Sequence, residues 1–309
     1  MAKVTVVGAG NVGATCAESV ARKEIAREVV LLDLKEGFSE GKALDMLQMG
    51  SIEGYSTRLM GSTNDYSKTK DSDVVVITSG SPRKPGMSRD DLITTNAKIM
   101  KAVAEQVIEH SPNAIIIVVA NPLDTLTYQA LKITGFPKER VVGMAGILDT
   151  ARYRAFISLE TGVSQKDIQA LLMGGHGDTM VPLPRFTTIT GIPVTNFIKP
   201  ERLNEIVERT KKGGGELTKL IGTSAWYAPG NAAAQMVEAI LKDEHRVLPC
   251  CALLEGEYGL KDICVGVPVV LSRKGIEQVI ELDLNDDEKK LLHESAEAVR
   301  KNNELLSTI

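Results

Sequence analysis

The sequence predicts an α/β protein, in which a doubly wound parallel sheet is followed by a mixed α+β domain. Three observations support this prediction. Strand and helix patterns alternate through the first half, which favours a parallel sheet. The apolar runs at 74–77 and 115–119 are continuous, which is typical of strands covered by helices on both faces. The second half combines short β signals, a long helical region and hairpin-like strands, which indicates mixed topology.

The first half divides into elements in a regular order. Short β-branched runs predict strands at 3–8, 28–33, 57–61, 73–78, 114–120 and 141–144. Apolar residues at helical spacing predict helices at 11–23, 38–48 and 90–110. We expect these elements to form one domain, residues 1–145.

The second half, residues 146–309, is expected to form a mixed α+β domain. Its patterns predict a helix at 148–161, a strand at 169–173, short β segments to 197 and a helical region at 201–241. Glycines at 213–215 and the pair Pro229-Gly230 are expected to interrupt that region. Hairpin-like strands at 246–282 and an amphipathic helix at 286–305 complete the chain.

Composition excludes several classes of protein. The chain has 309 residues, of which 43% are hydrophobic and 25% charged, with a net charge of −4; these are ordinary values for a soluble globular protein. No basic run suggests nucleic-acid binding, no apolar stretch is long enough to span a membrane, and the first ten residues lack a signal-peptide pattern. We therefore expect a cytoplasmic protein.

The cysteines and histidines show no ligand spacing, so no metal site is predicted. The four cysteines are expected to be small buried side chains in a reducing compartment rather than a disulfide framework: Cys16, Cys250, Cys251 and Cys264.

A G-x-G-x-x-G motif follows the first predicted strand and opens the first helix. Glycines also serve ordinary turns, but Asp33 ends the next strand twenty residues after Gly13, and that context indicates dinucleotide binding. The helix N-terminus would hold the phosphates, and Asp33 would bind the adenosine ribose and repel a 2′-phosphate, so NAD is expected over NADP. The predicted cofactor loop consists of Gly8, Ala9, Gly10, Asn11, Val12 and Gly13.

Three arginines and a histidine suggest the substrate. An arginine can hold a carboxylate as a bidentate pair, so Arg83, Arg89 and Arg152 beside His176 suggest two carboxylates with a carbonyl between them. Reduction of that carbonyl needs a proton, which a histidine can deliver near neutrality.

In combination, these motifs resemble the lactate/malate dehydrogenase family. The resemblance covers essentially the whole chain, and within the family it is greatest to the malate dehydrogenases closest in sequence to lactate dehydrogenases, which are often tetrameric. The motifs that carry it are Gly8-x-Gly10-x-x-Gly13, Asn121-Pro122, Leu148-Asp149-x-x-Arg152 and Gly174-Gly-His-Gly-Asp178.

The resemblance implies a role for each catalytic residue. His176 is the acid–base group and Asp149 orients its ring, although Asp149 also fits a helix N-cap and Asp178 is nearer His176 in sequence. Arg152 holds the carboxylate next to the reacting carbon. Arg89, on a mobile loop, polarises the carbonyl.

Further positions follow from the same resemblance. Arg83 pairs with the distal carboxylate; for Arg83 and Arg89 a solvated basic loop is the alternative. Asn121 contacts substrate and the nicotinamide end of the cofactor, unless it is only a turn residue before Pro122, and Asn96 and Val119 lie near the cofactor. Thr223 and Ser224 would form part of the pocket wall.

The predicted function is therefore NAD-dependent interconversion of (S)-malate and oxaloacetate by a homotetramer or homodimer, an activity of the tricarboxylic acid cycle. Two alternatives stay open. A lactate dehydrogenase would need a neutral residue where Arg83 stands, because pyruvate leaves that charge unpaired. A non-catalytic NAD-binding protein would not need the set formed by His176, Asp149 and the arginines.

Overall fold

The computed structural model describes residues 2–82 and 88–308. Its first half alternates strand and helix, which confirms the predicted α/β class. The strands are β1 (Lys3–Val7), β2 (Glu28–Asp33), β3 (Arg58–Thr63), β4 (Val74–Ile77), β5 (Ile115–Val118) and β6 (Val141–Gly143). The helices are α1 (Asn11–Arg22), α2 (Phe38–Glu53), α3 (Arg89–His110) and α4 (Leu123–Thr134).

The second half has the predicted mixed composition. Its helices are α5 (Gly146–Thr161), α6 (Pro200–Lys211), α7 (Gly213–Ile221), α8 (Tyr227–Leu241) and α9 (Asp286–Glu304). Its short strands are β7 (Ile168–Gln169), β8 (Leu172–Met173), β9 (Val181–Pro182), β10 (Thr188–Ile189) and β11 (Ile192–Pro193). Three longer strands, β12 (Arg246–Glu255), β13 (Lys261–Ser272) and β14 (Gly275–Val279), form the predicted hairpins.

One nine-stranded sheet runs through both halves, in the order β14-β13-β12-β6-β5-β4-β1-β2-β3. The six strands from β1 to β6 are parallel, and β12 joins the β6 edge antiparallel, with Cys251 opposite Gly143. The strand order reverses between β1 and β4, and ligands of open α/β sheets bind in the crevice at such a reversal. The loops after β1, β4 and β5 meet there.

The structure differs from the prediction at three places. The strand at 169–173 is two strands, because β7 pairs with β10 whereas β8 pairs with β9 in another sheet. Helix α4 was not predicted; its threonines are weak helix formers, and packing on α3 and the sheet supports it. The predicted break at Pro229-Gly230 lies inside the first turn of α8, where a proline is tolerated. The break comes earlier, after Gly222, which ends α7 at φ +75°.

The core of the molecule also spans both halves. A single cluster of buried apolar residues includes Val6 of β1, Val142 of β6, Val267 of β13 and Val299 of α9. All four cysteines are buried and unbridged, as predicted. Within the described chain, no helix is long and apolar enough to cross a membrane, and no group of three or more His, Cys, Asp or Glu side chains could hold a metal ion.

Candidate active site

The glycine loop after β1 is tightly packed on one side and open on the other. Gly8 has φ +102°, and a Cβ there would lie 2.7 Å from Oγ1 of Thr78. A Cβ at Gly13 would lie only 1.9 Å from the Gly8 carbonyl oxygen, whereas one at Gly10 would meet nothing within 4 Å. Gly10 is also the N-cap of α1, with no side-chain cap. The loop therefore leaves the helix N-terminus accessible to an anion, which fits a dinucleotide's phosphates.

Two charged side chains hold the loop from outside. The Asp33 carboxylate, at the end of β2, accepts hydrogen bonds from the Ala9 N–H at 2.7 Å and the Lys35 N–H at 3.0 Å. Lys42 of α2 donates to the Ala9 carbonyl at 2.8 Å, and its ammonium lies 4.6 Å from the centre of the Phe38 ring. Burial lowers the pKa of Lys42, and the nearby Asp33 charge opposes that shift. The sequence motif gave no sign of Lys42, because its helix lies beyond the G-x-G-x-x-G pattern.

Asn96 of α3 joins the loops that follow β4 and β5. Its buried side-chain amide accepts from the Ser81 N–H at 2.7 Å and donates to the carbonyls of Ser81, at 3.1 Å, and Asn121, at 2.7 Å. Val119 and Asn121 line a cavity beyond these loops. Asn96 therefore fixes the position of Asn121 at the edge of the sheet.

Two functional side chains project from one face of α5. Asp149 and Arg152 are one turn apart, and Arg152 Nη1 donates to Asp149 Oδ1 at 3.2 Å. The side chain of Asp149 is only 2% exposed, and that of Arg152 is 15% exposed. Because Ala145 is the N-cap of α5, the N-cap interpretation of Asp149 is wrong.

The His176 ring is bound to Asp149. Its Nδ1 lies 2.8 Å from Asp149 Oδ2, and the histidine side chain is 14% exposed. Asp178, the competitor nearer in sequence, is exposed. Because Nδ1 faces Asp149, Nε2 is the ring nitrogen left for a ligand in the cavity.

The charges around His176 favour its protonated form. Burial lowers the pKa of the imidazole, but the charge and hydrogen bond of Asp149 and the charge of Asp124 raise it. The Arg152 charge opposes this shift, and the net effect is a pKa above the ordinary value of 6.5. The ring is thus prepared to hold a proton near neutral pH.

The loop at 174–177 that carries His176 is fixed by three separate elements. The His176 N–H donates to Asp124 Oδ2 of α4 at 2.8 Å, and the Gly175 N–H donates to Ser295 Oγ of α9 at 2.7 Å. Gly174 exchanges two backbone hydrogen bonds with Gly266 of β13. Sequence reasoning missed Asp124 and Ser295, because they lie 52 and 120 positions away from their partners.

A cavity of about 760 Å³ connects these residues. It is lined by Arg152 and His176, and also by Val12 of the glycine loop. The glycines that open α7 approach Arg152, since a Cβ at Gly213 would lie 3.2 Å from Arg152 Cδ. Lining residues contributed by the region from α6 to α8 include Lys211, Lys212, Gly214, Gly215, Lys219, Ser224 and Pro229. Ser224 thus occupies the predicted pocket wall, whereas Thr223 is not among the lining residues.

Arg89 lies in a helix rather than on the loop that the resemblance implies. Arg89 is the first residue of α3, which begins with a capping box formed by Ser88 and Asp91. It is exposed and is not among the residues that line the cavity. Arg83 lies outside the described residues.

The site can be compared with known proteins. The family model for the lactate/malate dehydrogenase NAD binding domain matches residues 2–143, and that for the lactate/malate dehydrogenase alpha/beta C-terminal domain matches residues 147–308. A malate dehydrogenase from Cytophaga hutchinsonii is 64% identical over 298 residues, which cover 96% of each chain. One from Salinibacter ruber is 61% identical over 300 residues, covering 97% of this chain and 95% of the relative.

Solved structures of malate and lactate dehydrogenases also superpose closely on this chain. A malate dehydrogenase structure from Salinibacter ruber superposes with a TM-score of 0.95 at 58% identity, covering 99% of this chain and 98% of that one. A lactate dehydrogenase from Cryptosporidium parvum, complexed with lactic acid and the cofactor, also reaches 0.95, at 39% identity, covering 100% of this chain and 98% of that one. The fold alone therefore does not separate the two activities. Two family models together match nearly the whole chain, and relatives named malate dehydrogenase share 54–64% of its residues. This chain therefore belongs to the lactate/malate dehydrogenase family.

Proposed function

We propose that this chain catalyses the NAD-dependent interconversion of (S)-malate and oxaloacetate. The observation that supports it best is the His176 ring bound to the buried Asp149, in the cavity that Arg152 also lines. Relatives named malate dehydrogenase, at 54–64% identity over almost the whole chain, support the same choice of substrate.

Arg152 would hold the carboxylate next to the reacting carbon. Its guanidinium uses one N–H on Asp149, which fixes the orientation of the group. Its Nε is buried and has no hydrogen-bond partner among the described residues. A substrate carboxylate would supply acceptors for the guanidinium as a bidentate pair.

His176 would carry the proton. In the reducing direction the imidazolium donates from Nε2 to the carbonyl oxygen, while Asp149 holds Nδ1–H and stabilises the positive ring. In the oxidising direction the neutral ring accepts the proton from the alcohol. Bound NAD supplies the redox chemistry of the reaction, and the glycine loop, Asp33, Asn96, Val119 and Asn121 are its proposed contacts.

We propose that Arg83 and Arg89 complete the substrate site. Arg83 would pair with the distal carboxylate, and Arg89 would polarise the carbonyl oxygen.

A comparison of substrates tests the proposed function. With purified protein and NADH, we expect kcat/KM for oxaloacetate to exceed that for pyruvate by about 10²–10³-fold, because pyruvate leaves a charged side chain unpaired. A preference for pyruvate would indicate a lactate dehydrogenase, and NADH binding without turnover of either acid would indicate a non-catalytic protein.

We propose that a second copy of the chain covers one face of α2. Leu44, Leu47 and Ile52 are exposed on this helix, at fractions of 56%, 47% and 82%, and their spacing places them on one side. Tyr227, 71% exposed, lines a groove beside them. Light scattering would test this proposal by giving the molar mass of the parent protein and of Leu47→Glu. A monomeric mass for both proteins would exclude the proposed contact between two copies.

Two further expectations are proposals of the same kind. We infer a boundary between the cofactor and substrate domains near residue 145, which is supported by family matches that end at 143 and begin at 147. We also expect the protein to act in the cytoplasm, which fractionation of the source cells would test.

A further inference from the structure

Asp124 is a buried carboxylate beside the proposed proton carrier, with no role in the steps above. It lies in the first turn of α4 and is 5% exposed. Its Oδ2 accepts the backbone N–H of His176 at 2.8 Å. Its Oδ1 is buried and has no hydrogen-bond partner among the described residues.

Such an arrangement is costly unless a positive charge compensates for it. A buried carboxylate loses its hydration, and one backbone N–H together with a weak thiol donor does not replace it. The Cys251 thiol of β12 is a hydrogen-bond donor to the same carboxylate but carries no positive charge. The His176 imidazolium is the cation that can compensate, because the backbone hydrogen bond holds the histidine against Asp124.

We propose that Asp124 is a positioning residue for His176, which anchors the histidine backbone and presents a second negative charge to the ring. The proposal rests on His176 being the acid–base group. Asp149 would then orient the ring, while Asp124 would fix the loop and help to hold the proton.

Other charged groups also lie near His176. Asp149 and Arg152 approach from α5, and Asp178 is exposed on the histidine's own loop. Burial, the largest effect, lowers the pKa of His176, whereas the charge and hydrogen bond of Asp149 raise it. The Asp124 charge raises the pKa further. Burial in turn raises the pKa of Asp124, and the His176 N–H and charge oppose that shift. The charge of each group therefore favours the charged form of the other.

The chain offers a matched control in Ser295. Its hydroxyl accepts the N–H of Gly175, the residue before His176, at 2.7 Å. Ser295→Ala removes an uncharged anchor of the same loop, whereas Asp124→Asn keeps one oxygen acceptor, replaces the other oxygen by an NH2 group and removes the charge. A purely structural role would make the two variants alike, but a charge effect would separate them.

The test is an NMR titration of the histidine rings, with His176→Asn used to assign the His176 signal. In Asp124→Asn we expect the pKa of His176 to fall by about 1 unit, and the midpoint of the pH profile for oxaloacetate reduction to fall with it. In Ser295→Ala we expect kcat/KM to decrease while both midpoints stay at the parental values. Equal midpoints in parent and Asp124→Asn would overturn the proposal, and so would equal shifts in the two variants.

A measurement on the parent protein covers the case in which Asp124→Asn does not fold. We expect the His176 backbone amide to exchange slowly and to shift as the ring titrates. A rapidly exchanging amide with no such response would overturn the proposal. Because neither NMR measurement needs turnover, a failure of the proposed substrate would be distinguishable from a failure of Asp124.

Discussion

The cofactor side and the proton-carrying side of the site are built in different ways. The glycine loop is local, since six consecutive residues and the end of the next strand define it, and the chain's own backbone forms the surface. The His176 loop depends on side chains from α4, α5 and α9, separated from it by 52, 27 and 120 positions. A local motif specifies the first region, whereas the second exists only when the whole chain has folded.

The largest expected effect comes from His176→Asn, which removes the proposed proton carrier and leaves the glycine loop intact. We expect turnover to fall by about 10²–10⁴-fold while NADH binding, measured by fluorescence titration, stays near the parental value. His293→Asn is a control on another histidine, whose Nε2 is bound to the Tyr258 carbonyl. Near-parental turnover in His176→Asn would show that another group carries the proton.

The parent's pH dependence tests the same role. Reduction needs the imidazolium, so its kcat/KM should be highest below the pKa of His176 and fall as pH rises through it. Oxidation needs the neutral ring, so its kcat/KM should rise through the same value. Because the pKa of His176 is raised, both changes should occur above pH 6.5. Changes in the same sense in both directions would contradict the assignment.

A slightly smaller effect is expected for Arg83→Gln. Loss of the pair with the distal carboxylate should cost about 2–5 kcal/mol of transition-state binding for oxaloacetate and raise the relative activity on pyruvate. Lys35→Gln, an equal loss of charge at an exposed position of the cofactor side, is the control. An unchanged ratio of kcat/KM for the two substrates in Arg83→Gln would exclude the proposed role.

Asp33→Ser tests the cofactor side. Loss of charged hydrogen bonds to the ribose should weaken NADH binding by roughly tenfold to a hundredfold and reduce the preference over NADPH. Glu36→Gln removes a neighbouring exposed charge and should leave both affinities near the parental values. If Asp33→Ser binds both cofactors as the parent does, the ribose is held elsewhere.

The smallest effects are expected for alanine substitutions at two glycines of the cofactor loop. In Gly13→Ala the new methyl meets the Gly8 carbonyl oxygen at 1.9 Å, and we expect a loss of about 1–3 kcal/mol in the free energy of unfolding. In Gly10→Ala the new methyl meets nothing within 4 Å. We therefore expect the free energy of unfolding to equal that of the parent, while the affinity for NADH falls. Equal denaturation curves for the two variants would contradict the packing described for Gly13.

The difference between the two regions also explains what the sequence could predict. The parallel strands, the glycine loop and Asp33 follow from patterns that neighbouring residues define. The contact between His176 and Asp149 was expected from the family resemblance, and the 2.8 Å distance confirms that contact. Asp124, Ser295 and Lys42 were not predicted, because nothing in their local sequence shows which distant backbone group each one meets.

Local patterns also misled in the second half. Pro229-Gly230 predicted a break, but a proline in the first turn of a helix gives up no intrahelical hydrogen bond, so the helix continues through it. The split between β7 and β8 depends on which partner strand each one meets, and hydrophobic spacing does not carry that information.

The junction of β6 and β12 has a consequence for attempts to divide the molecule. A fragment that ended near residue 145 would keep the cofactor loop but leave β6 as an open strand edge, with Val141 and Val142, both buried in the whole chain, newly exposed. Unpaired edges of this kind recruit other strands and promote aggregation. The antiparallel hairpins therefore act as the cover of the nucleotide-binding sheet, and the isolated first half should precipitate or self-associate although its motif is complete.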